Sequence, residues 1–270
     1  MMRLGLIGYP LGHSLSPRIH TAALEACGLQ GEYSLFPIAP DDLQGLKDLL
    51  TRMRNGEIHG LNVTIPHKQN VMPLLDERTP TAQAIGAVNT ILMRDGKLIG
   101  DNTDAPGFLA DLGGLKTSEV PKALVLGAGG SARAIVYALV HAGWGVTLSA
   151  RRPEQALALA SNYHLPICQF PIPDSQLPVF DLLVNTTPLG MTPNVDTSPW
   201  PEHLTFPKNA AVYDLVYNPR ETKLVRDARA AGLPARTGLG MLIEQAALAF
   251  EIWIGRKPPR EILFEAVNGG

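Results

Sequence analysis

The sequence predicts an α/β fold in two domains. Three observations carry that expectation. The chain has 270 residues, more than most single cores hold. Apolar, strand-like runs alternate with helical stripes along its length. A glycine-rich turn, Gly127-Ala128-Gly129-Gly130-Ser131-Ala132, stands between a strand-like run and a helical one.

From the N-terminus, Met2 to Gly8 reads as a strand that ends in the loop Gly8-Tyr9-Pro10-Leu11-Gly12. Ser16 is the expected N-cap of the next helix, with Pro17 in its first turn. Ile19, Ala22, Ala23 and Ala26 form its expected buried stripe, and Gly28 its stop. Glu32 to Ile38 then reads as a strand, Asp41 to Met53 as a helix and Ile58 to Ile65 as a strand. Val88 to Met93 and Lys97 to Gly100 flank Arg94-Asp95-Gly96, a hairpin pattern because Asp-Gly suits a tight turn. Gly113-Gly114 and Pro121 mark a loop. Ala123 to Leu126 carries no polar residue, as buried parallel strands tend to. A second alternating series follows: helix Ser131 to Ala142, strand Val146 to Ala150, helix Pro153 to Tyr163, strands Phe180 to Asn185 and Ala211 to Val216, and helix Glu221 to Ala231. Leu239, Leu242, Ile243, Ala246, Ala247, Phe250 and Ile254 recur at helical spacing in a last long helix. The expected division is a first domain over residues 1–104, completed by 239–270, with residues 105–238 as an inserted second domain.

Apolar content of 45% and charged content of 18% describe an ordinary globular chain, not a disordered one. A formal net charge of −2 offers no basic field for nucleic acid or an anionic membrane surface. No stretch approaches the ~20 apolar residues of a membrane span, and the run after Arg3 is too short for a signal peptide. Cys27 and Cys168 lie outside any CxxC pattern and read as reduced core residues. A cytoplasmic protein with a small-molecule substrate is expected, a monomer or homodimer with no nucleic-acid or membrane partner and no metal site.

Two short stretches carry the chemistry. Asn62-Val63-Thr64-Ile65-Pro66-His67-Lys68 is a strand-like run that stops before a lysine. Asp101-Asn102-Thr103-Asp104 packs two carboxylates, an amide and a hydroxyl into four residues. A lysine that meets a carboxylate at the rim of a cleft is a proton-transfer pair. The glycine turn fits G-x-G-x-x-A: Gly127 for the tight turn, Gly129 for close approach of a pyrophosphate, Ala132 for helix packing, with the helix N-terminus facing the anion. At the end of the next strand, where an NAD site usually places an acid, stand Ala150, Arg151 and Arg152. Two guanidiniums suit a 2′-phosphate, so NADP is the expected cofactor.

With these stretches and His13-Ser14-Leu15-Ser16-Pro17, Gly86-Ala87-Val88-Asn89-Thr90, Asn185-Thr186-Thr187-Pro188-Leu189-Gly190-Met191 and Gly238-Leu239-Gly240-Met241-Leu242, the chain resembles the shikimate dehydrogenase family. The resemblance runs from Gly8 to the last helix. It implies a substrate domain, a Rossmann-type doubly wound NADP domain and a C-terminal helix returning to the first domain. The implied reaction is reversible reduction of 3-dehydroshikimate to shikimate, in the synthesis of chorismate and the aromatic amino acids. It makes Lys68, with Asp104, the proton-transfer residue, and Ser14 and Ser16 carboxylate-binding hydroxyls. It places Asn62, Thr64, Asn89, Tyr217 and Gln245 about the substrate. Gly127, Ala128, Gly129, Gly130, Ser131, Ala150, Arg151 and Arg152 fall on the cofactor, with Leu215 and Gly238 on its nicotinamide side. The pair is expected to face the nicotinamide across one crevice. Ala150 and Gln155 depart from the Asn and Arg often present in the family, which points to a looser 2′-phosphate clamp, and Pro80 replaces a residue that is often acidic. A quinate/shikimate dehydrogenase with relaxed cofactor choice and a non-catalytic shikimate sensor are the alternatives. A folate dehydrogenase would call for an aromatic slot, and aromatic content is 6%.

Overall fold

The computed structural model describes residues 1–113 and 120–268, so the Gly113-Gly114 loop lies partly outside the described residues. The chain divides into two compact units, Met1–Gly107 with Leu242–Gly270, and Phe108–Met241.

In the first unit β1 (Met2–Gly8) pairs in parallel with β2 (Gly31–Pro37) and β3 (Gly60–Val63). Their crossovers are α1 (Ser16–Ala26) and α2 (Leu43–Arg54). Beyond β3 come α3 (His67–Asn70), β4 (Glu77–Arg78) and α4 (Pro80–Ile85). The hairpin of β5 (Thr90–Arg94) and β6 (Lys97–Asp101) completes a sheet of order β2-β1-β3-β5-β6-β4. Asp95 and Gly96, the two residues between these strands, both have positive φ, as a two-residue hairpin turn of the favoured hand needs. In α2, Leu46, Leu49, Leu50 and Met53 form the stripe that joins Ile7, Leu61 and Ile91 in the core.

Three local readings change. Ser16 is the first residue of α1, and Leu15 holds the cap position with no side-chain cap bond. The hydroxyl beside that turn belongs to Ser14, whose Oγ accepts from Ser16 N at 3.2 Å. The buried face of α1 includes His20 and Leu24, while Ala26 is exposed. An unexpected helix, α5 (Asp104–Leu112), follows β6 although Ala105-Pro106 looks like a break. Asn102 Oδ1 caps it by accepting from Asp104 N (3.1 Å) and Ala105 N (3.3 Å). Pro106, in the first turn, then needs no partner for an N–H it does not have.

The second unit is fully parallel. Its elements are β7 (Lys122–Leu126), α6 (Gly130–His141), β8 (Gly145–Ser149), α7 (Pro153–Ser161), β9 (Ile167–Cys168), β10 (Leu182–Asn185), β11 (Ala211–Asp214), α8 (Lys223–Ala230) and β12 (Ala235–Thr237). Strand order β12-β11-β10-β7-β8-β9 reverses direction beside β7, the doubly wound Rossmann pattern with its switch point between β7 and β10. The sheet's apolar strands pack in a core that includes Leu124, Leu126, Leu183, Val212 and Trp200. The expected α/β class, with a Rossmann-type unit, is the fold observed.

After β12, α9 (Leu239–Ile254) forms the predicted long helix, and the chain ends in a further helix, α10 (Arg260–Asn268). α10 buries Leu263 and Val267, one turn apart, and packs against α1. Pro258-Pro259 before it conceals its start. From α9, Trp253 packs where a side chain on Gly60 would stand, about 2.6 Å away, and donates Nε1–H to Ile91 O at 2.9 Å.

Candidate active site

In the first unit, Lys68 of α3 and Asp104 of α5 meet at 2.6 Å, with side-chain exposures of 12% and 6%. Asp104 Oδ2 takes the ammonium, and its Oδ1 accepts from Asn89 Nδ2 at 2.9 Å. The amide of Asn89 has one possible orientation. Its oxygen accepts from Thr103 N at 2.7 Å, and a backbone N–H can only donate, so the nitrogen must face Asp104. That nitrogen also reaches Thr103 Oγ1 (2.9 Å) and Gln245 Oε1 (3.3 Å). Gln245 Nε2 is anchored on Leu242 O at 2.7 Å, so this glutamine of α9 is fixed in the cluster and not solvated.

The local sequence explains how the two stretches converge. β3 ends at Val63, and Val88 N donates to Lys68 O at 2.8 Å, tying the lysine's turn to the approach of β5. Asn89 N donates to Asp101 O, and Asn102 Nδ2 donates to Ala87 O at 2.9 Å. Asp101 Oδ1 accepts from Thr79 Oγ1 and Asn102 N, holding the start of the second stretch. Within Asp101-Asn102-Thr103-Asp104, two residues therefore build the loop and two build the cluster. Thr103 and Thr90 had no assigned role from sequence, yet Thr90 Oγ1 donates to Asn89 Oδ1 at 2.9 Å.

Asn62 is buried one layer deeper. Its Oδ1 accepts from Tyr33 Oη at 2.8 Å, and its Nδ2 donates to Asn89 O at 3.2 Å. Tyr33, also missed from sequence, stacks on His20 with ring centroids 4.4 Å apart. Burial holds the His20 imidazole down to about 3, so it stays neutral. His67 is structural, its Nε2 at 2.7 Å from Ile38 O. Tyr9 N donates to Ile65 O, and a Cβ on Gly8 would collide with Thr64 Cγ2. The loop that leads to half-buried Ser14 and buried Ser16 thus leaves β1 beside Thr64.

In the second unit, Gly127 has φ +114 and donates to Ser149 O at 2.8 Å; a Cβ there would strike Thr186 Oγ1. Only glycine fits that turn. Gly129 differs: no atom lies within 4 Å of where its Cβ would stand. Packing does not demand a glycine there, and the space it leaves suits close approach of a ligand. Gly130 and Ser131 begin α6, whose first turn carries no acid to compete with an anion, and Ala128 and Ala132 are buried. Half-buried Ala150 and exposed Arg151 and Arg152 follow β8. A Cβ on Gly238 would collide with Leu215 O, so these two segments touch, and half-buried Tyr217 lies two residues beyond Leu215. The donors present fit NADP: open space at Gly129, a helix start without carboxylates and two exposed guanidiniums at the end of β8.

A doubly wound unit with this turn, joined to a unit holding a buried lysine–carboxylate pair, defines a two-unit protein of the dinucleotide-binding class. The family model described as "Shikimate dehydrogenase substrate binding domain" matches residues 6–91, and that described as "Shikimate 5'-dehydrogenase C-terminal domain" matches residues 238–267. The chain is 43% identical to a shikimate dehydrogenase (NADP(+)) of Salinibacter ruber, over 97% of this chain and 95% of that one. It is also 43% identical to one of Thermus thermophilus, over 99% and 98%. The crystal structure of the Thermus thermophilus shikimate 5-dehydrogenase in complex with NADP(H) and shikimate superposes with a TM-score of 0.89 at 42% identity, covering 100% of this chain and 99% of that one. This chain belongs to the shikimate dehydrogenase family.

Proposed function

We propose that the chain is an NADP-dependent shikimate dehydrogenase, which reversibly reduces 3-dehydroshikimate to shikimate on the route to chorismate and the aromatic amino acids. The observation that carries the reading is the Lys68–Asp104 pair, buried among amides and hydroxyls in a chain so similar to named shikimate dehydrogenases. A small polyhydroxylated acid has little apolar surface, so its recognition depends on hydrogen bonds whose loss leaves buried groups unpaired. Ser14 and Ser16 take the substrate carboxylate in this reading, and Thr64, Asn89, Asp104, Tyr217 and Gln245 serve its hydroxyls and ring. Asn62, spent on Tyr33 and Asn89, acts by holding the Asn89 backbone.

The turn from Gly127 to Ser131 would hold the NADP pyrophosphate, Arg151 and Arg152 beyond Ala150 the 2′-phosphate, and Leu215 and Gly238 the nicotinamide side. When bound, NADP(H) supplies or takes up hydride. Negative charge then builds on the substrate oxygen, where Lys68 Nζ stabilises it and delivers a proton. In the oxidative direction neutral Lys68 takes the hydroxyl proton. Asp104, fixed by Asn89, aims the ammonium. No helix among the described residues is long and apolar enough to cross a membrane, and we place the enzyme in the cytoplasm as a monomer or homodimer.

An absorbance assay at the nicotinamide band, pairing shikimate and quinate with NADP⁺ and NAD⁺ in all four combinations, tests the reading. Shikimate with NADP⁺ should turn over fastest. Comparable rates with quinate or NAD⁺ would favour the relaxed enzyme, and binding without turnover would favour a sensor.

A further inference from the structure

Asp214 ends β11 with no exposed surface, and no ion pair among the described residues involves it. Three neutral donors answer it instead: Asn185 Nδ2 at 2.8 Å and Val216 N at 3.0 Å on Oδ1, and Thr222 Oγ1 at 2.7 Å on Oδ2. A carboxylate withdrawn from water without a cation is a costly way to join three groups, since an amide could join them uncharged. Burial accordingly pushes its pKa up to about 6 against the pull of those bonds.

The partners lead toward the glycine turn. Asn185 ends β10, and its Oδ1 accepts from both Thr187 N (2.8 Å) and Thr187 Oγ1 (2.7 Å). The adjacent Thr186 donates its hydroxyl to Leu126 O at 2.6 Å, and this same Oγ1 is the atom that forbids a side chain on Gly127. Val216 N fixes the backbone immediately after Leu215. Thr222 caps α8 through Val225 N. One carboxylate thus joins the loop after β10, the loop after β11 and the start of α8, at the carboxyl ends of strands where sheets of this kind take ligands.

We infer that Asp214 is a positioning residue for cofactor binding: through Asn185 and Thr187 it sets the loop against the Gly127 turn, and through Val216 the backbone beside Leu215. The inference rests on the NADP reading above. Asparagine at this place can keep all three contacts, because its Nδ2 can donate to Thr222 Oγ1 while its Oδ1 goes on accepting; alanine keeps none.

The test titrates NADPH and shikimate separately into the wild type, Asp214→Ala and Asp214→Asn, with thermal melts alongside. Asp214→Ala should bind NADPH about tenfold more weakly or worse, with shikimate affinity unchanged, because a loop displaced by a fraction of an ångström misplaces its contacts. Asp214→Asn should restore NADPH affinity to within about twofold. A merely structural carboxylate would lower the melting temperature of Asp214→Ala and leave NADPH affinity intact, which overturns the inference alone. A wild type that binds no NADPH overturns the cofactor reading and the inference together. Should Asp214→Ala not fold, Thr187→Val removes one of the two bonds that tie Thr187 to Asn185, the hydroxyl one. It should weaken NADPH about threefold, and wild-type affinity in that variant would overturn the inference.

Discussion

Each unit buries a carboxylate at its centre of interest, and the two are answered differently. Asp104 takes an ammonium on one oxygen and a rigidly oriented amide on the other. Asp214 takes an amide, a hydroxyl and a backbone N–H, all neutral. The first arrangement suits the proton transfer proposed for Lys68. The second holds no proton donor of useful acidity other than the carboxyl itself, and what it organises is backbone. Charged partners thus mark where chemistry is proposed, and neutral ones where shape is.

The contrast can be broken most severely at Lys68. Lys68→Ala should lower kcat by about 10²–10⁴-fold while the shikimate KM changes little, because the interaction it supplies develops in the transition state. Steady-state kinetics that returned near-normal turnover would remove the distinction between the two carboxylates. Stability against pH sharpens it next. The Asp214 pKa is raised from 3.8 to about 6 by burial, so the folded state holds a proton that the unfolded chain has lost. Its contribution to stability is full below about 3.8 and disappears as pH rises through about 6. Asp214→Asn should therefore be more stable than the wild type at pH 7 to 8, by something on the order of 3 kcal/mol, with the gap closing in acid. His20, held down to about 3, acts in the opposite sense: its contribution is present above 6.5 and is lost as pH falls toward 3. It is common to both proteins and cancels when denaturation midpoints are compared. The smallest expected effect lies at the exposed guanidiniums. Arg151→Ala/Arg152→Ala should weaken NADPH about tenfold or somewhat more and NADH hardly at all, measured by titration with each cofactor. Equal losses would mean that the pair does not read the 2′-phosphate.

Legibility from sequence followed the range of the interactions. Four of the six strands of the second unit announce themselves, because a run such as Ala123 to Leu126 is apolar throughout, and the Gly127 turn follows it directly; the short edge strands β9 and β12 do not. The hairpin between β5 and β6 is equally local, resting on Asp95-Gly96. α5 was hidden because Pro106 looks like a break until the Asn102 cap is known, and that cap is itself aimed by a bond to Ala87. Lys68 and Asp104 stand out as residue types in unusual company, but their pairing rests on family resemblance, since nothing in the chain between positions 36 apart dictates it. Asp214 and Tyr33 left no signal. Asp214 ends an otherwise apolar buried strand, Tyr33 is the one buried residue of a mixed strand, and each depends for its role on a partner 29 residues away.

The order of synthesis has a bearing on Gln245 and Trp253. The amide that completes the cluster around Asn89, and the indole that covers Gly60, arrive on α9 after the whole of the inserted unit has been made. A ribosome therefore releases the nucleotide-binding half with all its own strands in hand, while the opening hundred residues still lack a wall. Nascent chains thus complete the sheet of the second unit before the first receives Gln245 and Trp253.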